Sequence, residues 1–60
     1  MSILLSIDRV MRRTGISATR IGRESVGDPR LVFDLRVGRK LRPATERRVR
    51  AYLRRCTGEL

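Results

Sequence analysis

The chain has 60 residues, of which 15 are Lys or Arg and 6 are Asp or Glu, so its formal net charge is +9 at neutral pH. This length allows one small domain of marginal stability, and it leaves no room for an enzyme with a separate substrate domain. One cysteine and no histidine exclude a zinc finger and an intrachain disulfide framework. The sequence also lacks a nucleotide-binding loop and a pair of carboxylates, the features that would indicate catalysis. The positive charge instead indicates a polyanionic partner, with nucleic acid as the first candidate.

Glycine and proline divide the chain into four segments, each with the pattern of a short helix. The first segment covers about residues 2–14, and its apolar positions recur at helical spacing: Ile3, Ile7, Val10, Met11 and Thr14. Gly15 supplies the left-handed residue that ends a helix. The apolar run 3–5 is far too short for a signal peptide or a membrane span.

The second segment is predicted to be a helix that begins at the N-cap residue Ser17 and ends near Val26, with Gly27 as its stop. Gly22 lies in the middle of this helix, where glycine costs about 1 kcal/mol relative to alanine. We therefore expect another part of the backbone to approach the helix closely at Gly22.

The third segment is predicted to be a helix over about residues 29–37, opened by Asp28-Pro29 and stopped by Gly38. Val32 and Leu35 fall on the side that we expect to face the core. The opposite side carries four other residues: Arg30, Phe33, Asp34 and Val37. A β-strand is the alternative for the apolar start of this segment, but the cap chemistry favours a helix.

The fourth segment starts at residues 43–45 and reaches about Arg55, with an apolar stripe on one side: Thr45, Val49, Tyr52, Leu53 and Cys56. The four segments predict an all-α domain of four to five helices that covers residues 1–60. Its core is predicted to contain one stripe from each helix: Ile7, Val10, Ile21, Val32, Leu35, Val49 and Leu53.

The second and third segments resemble the helix-turn-helix of the lambda-repressor-like family of small prokaryotic and phage DNA-binding regulators. The resemblance covers about residues 9–53 and rests on these features: Ile21-Gly22, the turn at Val26-Gly27, Val32 and Leu35, the stretch from Leu35 to Lys40, and the helix start at Pro43 to Glu46. The chain departs from the family pattern because its turn glycine comes one residue later. Its third helix also opens with Asp-Pro-Arg, where the family usually has Ser, Gln or Thr.

The resemblance implies a helix-turn-helix over about residues 17–37, with the third helix in the major groove of DNA. Base edges would be contacted from the outer side of that helix: Arg30, Phe33, Asp34 and Val37. Phosphates would be contacted by residues around the start of the second helix and after the third: Ser17, Thr19, Arg20, Arg36, Arg39, Lys40 and Arg42. Arg30 would be the main reader, by a bidentate contact to guanine.

Structural alternatives exist for two of these residues. Phe33 is also a candidate core residue, because aliphatic side chains alone fill a core poorly. Asp34 could orient Arg30, or it could simply form a surface ion pair with Arg30 or Arg36.

We expect a sequence-specific, DNA-binding transcriptional regulator that acts as a homodimer on double-stranded DNA in the cytoplasm, at the nucleoid. No catalytic residue, cofactor, metal, membrane or small-molecule ligand is expected. The nearest alternatives are a non-specific nucleoid-associated protein or an accessory factor for recombination. A small RNA-binding protein is a weaker alternative, because the chain has only two aromatic residues for base stacking. A cationic membrane-active peptide and a protein-binding adaptor are further alternatives.

Overall fold

The computed structural model describes residues 2–57, and within this range the chain forms four α-helices and no β-strand. The helices are α1 (Ile3–Thr14), α2 (Ala18–Val26), α3 (Leu31–Arg36) and α4 (Pro43–Thr57). The predicted all-α class is confirmed, and the strand alternative for the third segment is wrong. No helix in the described range has the length and apolar character that a membrane span requires.

Local capping fixes both ends of α1 and of α2. The side-chain hydroxyls of Ser2 and Ser17 accept hydrogen bonds from backbone amides three residues later, at 3.2 and 3.1 Å. Gly15 and Gly27 end the two helices in the left-handed region, with φ of 75° and 72°. The predicted boundaries of the first two helices are therefore confirmed.

α3 is shorter than the predicted helix over residues 29–37. It begins at Leu31, because Pro29 and Arg30 lie in the preceding turn and Arg30 is the N-cap residue. The Asp28 carboxylate accepts a hydrogen bond from the Arg30 N–H at 3.0 Å. A side-chain bond to the amide two residues later is typical of a turn, so these residues form a turn and not the first turn of the helix. The predicted start of the helix is corrected by two residues.

The other end of α3 has the hydrogen bonds of a Schellman motif. Gly38 N–H donates to the Leu35 carbonyl at 3.2 Å, and Arg39 N–H donates to the Asp34 carbonyl at 3.0 Å. Gly38 has a φ of 105°, which confirms its predicted role as the stop, while Val37 is the C-cap residue and lies outside the helix. The motif folds the chain back, so that Arg39 returns toward α3.

The four helices share one core, with α1 against α4 and α2 against both α3 and α4. All seven residues predicted to be buried are buried, from Ile7 on α1 to Leu53 on α4. Tyr52 of the predicted α4 stripe is buried too, whereas Ala18 and Leu31 join the core without having been predicted. This shared core holds α3 in place, because a helix of six residues is not stable alone in water.

Candidate nucleic-acid interface

Gly22 brings the turn after α2 into contact with the middle of that helix. Its carbonyl accepts the Asp28 N–H at 3.1 Å. A Cβ atom at position 22 would overlap the Asp28 carbonyl oxygen and would lie 3.0 Å from Leu31 Cβ. The predicted close approach at Gly22 is confirmed, and any side chain there would push away the turn from which α3 begins.

α3 buries one side and exposes the other. Leu31, Val32 and Leu35 lie in the core, whereas Phe33 is 46% exposed and Val37, just after the helix, is 84% exposed. The interpretation of Phe33 as a core residue is therefore wrong. At about 100° per residue, Leu31, Val32 and Leu35 fall on one face of α3, whereas Phe33 falls on the opposite face. The outer side of α3 thus presents apolar surface to solvent.

Arg36 lies against this exposed apolar surface. Its guanidinium carbon is 5.8 Å from the centroid of the Phe33 ring, which is the distance of a cation–π contact. The contact restrains the long side chain, so that a positive charge is held beside the ring. Such an arginine can bind a phosphate while the ring meets an apolar group.

Arg39 and Asp34, two of the predicted contact residues, contact each other. Arg39 Nη1 lies 2.7 Å from Asp28 Oδ2 and 3.3 Å from Asp34 Oδ2. The hydrogen bond with Asp28 raises the pKa of Arg39. The pKa of Asp28 is lowered mainly by the same hydrogen bond and secondly by the hydrogen bond from the Arg30 N–H. The partner of Asp34 is thus Arg39, and the predicted surface pair of Asp34 with Arg30 or Arg36 is wrong.

Arg20, another predicted phosphate contact, belongs to a second ion-pair cluster, between α2 and α4. Its Nε donates to Glu24 Oε2 at 2.9 Å, and the Tyr52 hydroxyl donates to Glu24 Oε1 at 2.6 Å. The bond from Tyr52, and then that from Arg20, lower the pKa of Glu24. Burial, and then the bond to Glu24, raise the pKa of Tyr52, so the phenol keeps its proton and remains a donor.

The predicted phosphate contacts therefore fall into two groups. Three are exposed cations that form no ion pair within residues 2–57: Arg36, Lys40 and Arg42. Arg30, the predicted base reader, is likewise exposed and forms no ion pair in this range. Arg20 and Arg39 have carboxylate partners, and the Ser17 hydroxyl caps α2. Thr19 is exposed in the first turn of α2. The first group surrounds α3 in sequence and leaves its charges available to a ligand.

The described residues include no group of three or more His, Cys, Asp or Glu side chains placed to hold a metal ion. Cys56 is half-buried and carries a free thiol. The chain matches no model of a known protein family, no curated protein and no solved structure.

Proposed function

We propose that this protein is a sequence-specific DNA-binding transcriptional regulator in which α2, the turn at residues 27–30 and α3 act as a helix-turn-helix of the lambda-repressor-like kind. The observation that supports it most is the outer side of α3, where Phe33 and Val37 are exposed beside cations. Apolar side chains in the major groove contact thymine methyl groups, and flanking cations bind phosphates. A solvent-facing side of this composition is suited to a DNA groove.

In the proposed complex α3 lies in the major groove and α2 crosses the DNA backbone. Arg30, at the N-cap of α3, is at the end of the helix where side chains meet base edges in this geometry, and it binds guanine. Arg36 binds phosphate beside the Phe33 ring. Lys40 and Arg42 bind phosphates of the DNA strand that lies beyond the end of α3.

The residues at the start of α2 bind a second phosphate. The N-terminus of a helix attracts anions, because its first amide groups have no partner within the helix. Ser17 caps α2, and Thr19 and Arg20 are exposed in its first turn. Their hydroxyl and guanidinium groups add hydrogen bonds to the same phosphate.

Asp34 and Arg39 contribute through their ion pair. Within residues 2–57 the carboxylates contact only Nη1 of Arg39, so the donors at Nε and Nη2 are left for a phosphate. The same contacts fix the Asp34 carboxylate on α3, from where it accepts a hydrogen bond from a cytosine amine.

A single copy reads too little DNA to be selective. α3 has six residues and is therefore about 9 Å long, at 1.5 Å per residue. It spans about three base pairs, since successive pairs are about 3.4 Å apart. The proposal therefore includes a homodimer that binds two half-sites on the same face of the duplex.

Selection of bound fragments from a random DNA library, followed by titration at several salt concentrations, tests the proposal. We expect an enriched motif with symmetric half-sites, and a plot of log affinity against log salt with a slope of several units. The test variant is Phe33→Ser with Val37→Ser, which keeps every charge, and the parent chain is its reference. We expect this variant to lose the enriched motif and to keep most of the salt-dependent binding.

Each other outcome favours a different function. Strong salt-dependent binding without a motif indicates a nucleoid-associated or recombination accessory protein. Higher affinity for RNA than for DNA of equal length indicates an RNA-binding protein. A slope near zero removes nucleic acid as the partner.

A further inference from the structure

The side of α4 that faces away from the core is strongly basic. Val49, Tyr52 and Leu53 of this helix are buried in the shared core. At about 100° per residue, the positions opposite to them form an outer face of four arginines and two alanines, all exposed: Ala44, Arg47, Arg48, Ala51, Arg54 and Arg55. This α4 outer face does not include any residue of α2, the turn or α3, which the proposed function uses.

The arginines of the α4 outer face have no carboxylate partner within residues 2–57. The ion pairs in this range use other cations: Arg20, Arg39 and Arg50. Glu46, the acidic residue of α4, lies off the outer face and contacts Arg50. A helix face that is simply solvated usually mixes charges of both signs. Four like charges instead repel each other, and a bound polyanion would relieve this repulsion.

The four arginines form two pairs whose spacing suits duplex DNA. Arg47 and Arg48 precede Arg54 and Arg55 by seven residues, which is about two helical turns and about 10.5 Å along the axis. The major groove of B-DNA is about 12 Å wide, so the two pairs can reach phosphates on its opposite edges. Ala51, exposed between the pairs, has a short side chain that lets the helix approach the DNA backbone closely.

The outer sides of α3 and α4 belong to different faces of the domain. Each of these helices packs against α1 and α2, and the two make little or no contact with each other. Both turn their apolar sides toward the same core, so their outer sides point away from it in different directions. A duplex that contacts Phe33 and Val37 on α3 therefore leaves the α4 outer face open.

We propose that the α4 outer face binds the phosphate backbone of a second DNA duplex, so that the protein bridges two DNA segments. The inference rests on the proposed function, which places the first segment on α3. Two duplexes repel each other, because each carries one negative charge per about 1.7 Å of its axis. A small domain with cations on two faces reduces this repulsion. Guanidinium groups bind phosphates without reading bases, so the second segment needs no sequence motif.

A capture experiment with the full chain tests the bridge. A duplex that carries the selected motif is fixed to beads and saturated with protein, and a labelled duplex without the motif is then titrated. The outer-face variant is Arg48→Gln with Arg55→Gln. The matched control is Arg12→Gln with Arg23→Gln, which removes the same charge from exposed positions on α1 and α2 that form no ion pair within residues 2–57.

We expect the parent and the control to capture the labelled duplex equally well. In the outer-face variant the concentration of labelled duplex at half-saturation should rise roughly tenfold or more, because two phosphate contacts are lost. All three proteins should bind the motif duplex alone with similar affinity, since the outer face does not contact the first segment. Circular dichroism establishes that each variant is folded.

Three outcomes would overturn the inference, and they differ in what they mean for the proposed function. Equal capture by the outer-face variant and the control would show that another surface forms the bridge, such as the second α3 of a homodimer. A parent that binds the motif but captures no labelled duplex would overturn the bridge and leave the proposed function standing. A parent that binds neither duplex would overturn both.

Discussion

The α2–turn–α3 unit and the α1–α4 pair are both basic, but they use arginine in different ways. In the α2–turn–α3 unit each of three carboxylates has a cationic partner: Glu24, Asp28 and Asp34. In the α1–α4 pair Arg50 instead connects the two helices, because it contacts Glu46 on its own helix and donates to the Ser6 hydroxyl of α1. A net charge of +9 therefore does not locate a ligand. The positions of a few acidic residues decide which cations stabilise the fold and which are left for a partner.

The two regions also differ in how their helices are held. α1 and α4 are the longest helices and pack through apolar stripes. Their contact is spread over several side chains, so no single side chain provides all of it. α2 and α3 are short and meet through backbone at Gly22, where no side chain has room. We expect single-atom changes to be tolerated far better between α1 and α4 than between α2 and the turn.

Val32→Asp should have the largest effect and should disrupt both regions. Val32 is fully buried in the shared core, and an unpaired buried carboxylate costs several kcal/mol. The whole stability of a domain of 60 residues is about 3–9 kcal/mol. We expect loss of helical circular dichroism at 25 °C. Val37→Asp adds the same charge at a position that is 84% exposed and should remain folded; a folded Val32→Asp would contradict the core described here.

Gly22→Ala should destabilise the α2–turn–α3 unit by about 1–3 kcal/mol, because the added Cβ overlaps the Asp28 carbonyl. This loss exceeds the gain in helix propensity of about 1 kcal/mol for alanine over glycine. Urea denaturation measures the change, and Arg23→Ala, at the exposed neighbouring position, is the matched control. A Gly22→Ala variant as stable as that control would mean that the turn can move away without cost.

The sequence predicted the features of the fold that depend on local chemistry. Ser17 and Gly27 mark the ends of α2 by side-chain capping and left-handed backbone, and both act on their own neighbours. The apolar stripes need only helical periodicity. The start of α3 was placed too early because Asp28 can cap a helix or close a turn, and the choice depends on how its backbone packs against Gly22.

Contacts between residues distant in sequence could not be predicted. Tyr52 and Glu24 are 28 residues apart, and Arg39 and Asp28 are 11 apart, so neither pair follows from periodicity. Arg39 was predicted as a phosphate contact from its position and charge, which do not show its two carboxylate partners. The partner of Arg20, in contrast, lies four residues along the same helix, at a spacing that the sequence does show. The sequence offered a hint in the three acidic residues near α3, but it did not show their partners.

Arg30→Ala tests the specific part of the proposed DNA interface. If Arg30 binds guanine, we expect a loss of about 1–3 kcal/mol on the selected site and a relaxed preference at one base pair. Lys40→Ala should instead weaken all sequences similarly and reduce the salt slope by about one unit. Titrations against every single-base variant of the site distinguish these outcomes. An unchanged preference profile in Arg30→Ala would leave base recognition to Phe33, Asp34 and Val37.

The smallest expected effect is the pH dependence of the ion pairs in the α2–turn–α3 unit. The contacts with Arg39 and with the Arg30 N–H lower the pKa of Asp28 in the folded protein, as contacts with Tyr52 and Arg20 lower that of Glu24. A carboxylate whose pKa is lower in the folded than in the unfolded state stabilises the fold above its unfolded pKa, which is about 4. This contribution is lost as the pH falls through the folded pKa.

Asp28→Asn isolates the charge of this carboxylate, because asparagine keeps an oxygen that can accept the Arg30 N–H but offers no charge to Arg39. We expect the variant to have a lower Tm than the parent near neutral pH. The difference should shrink once the pH is well below about 4, where Asp28 of the parent is protonated as well. The pair is partly exposed, so the difference at neutral pH should also decrease with added salt. A difference in Tm that is equal at both pH values would mean that Asp28 acts through the geometry of its turn and not through its charge.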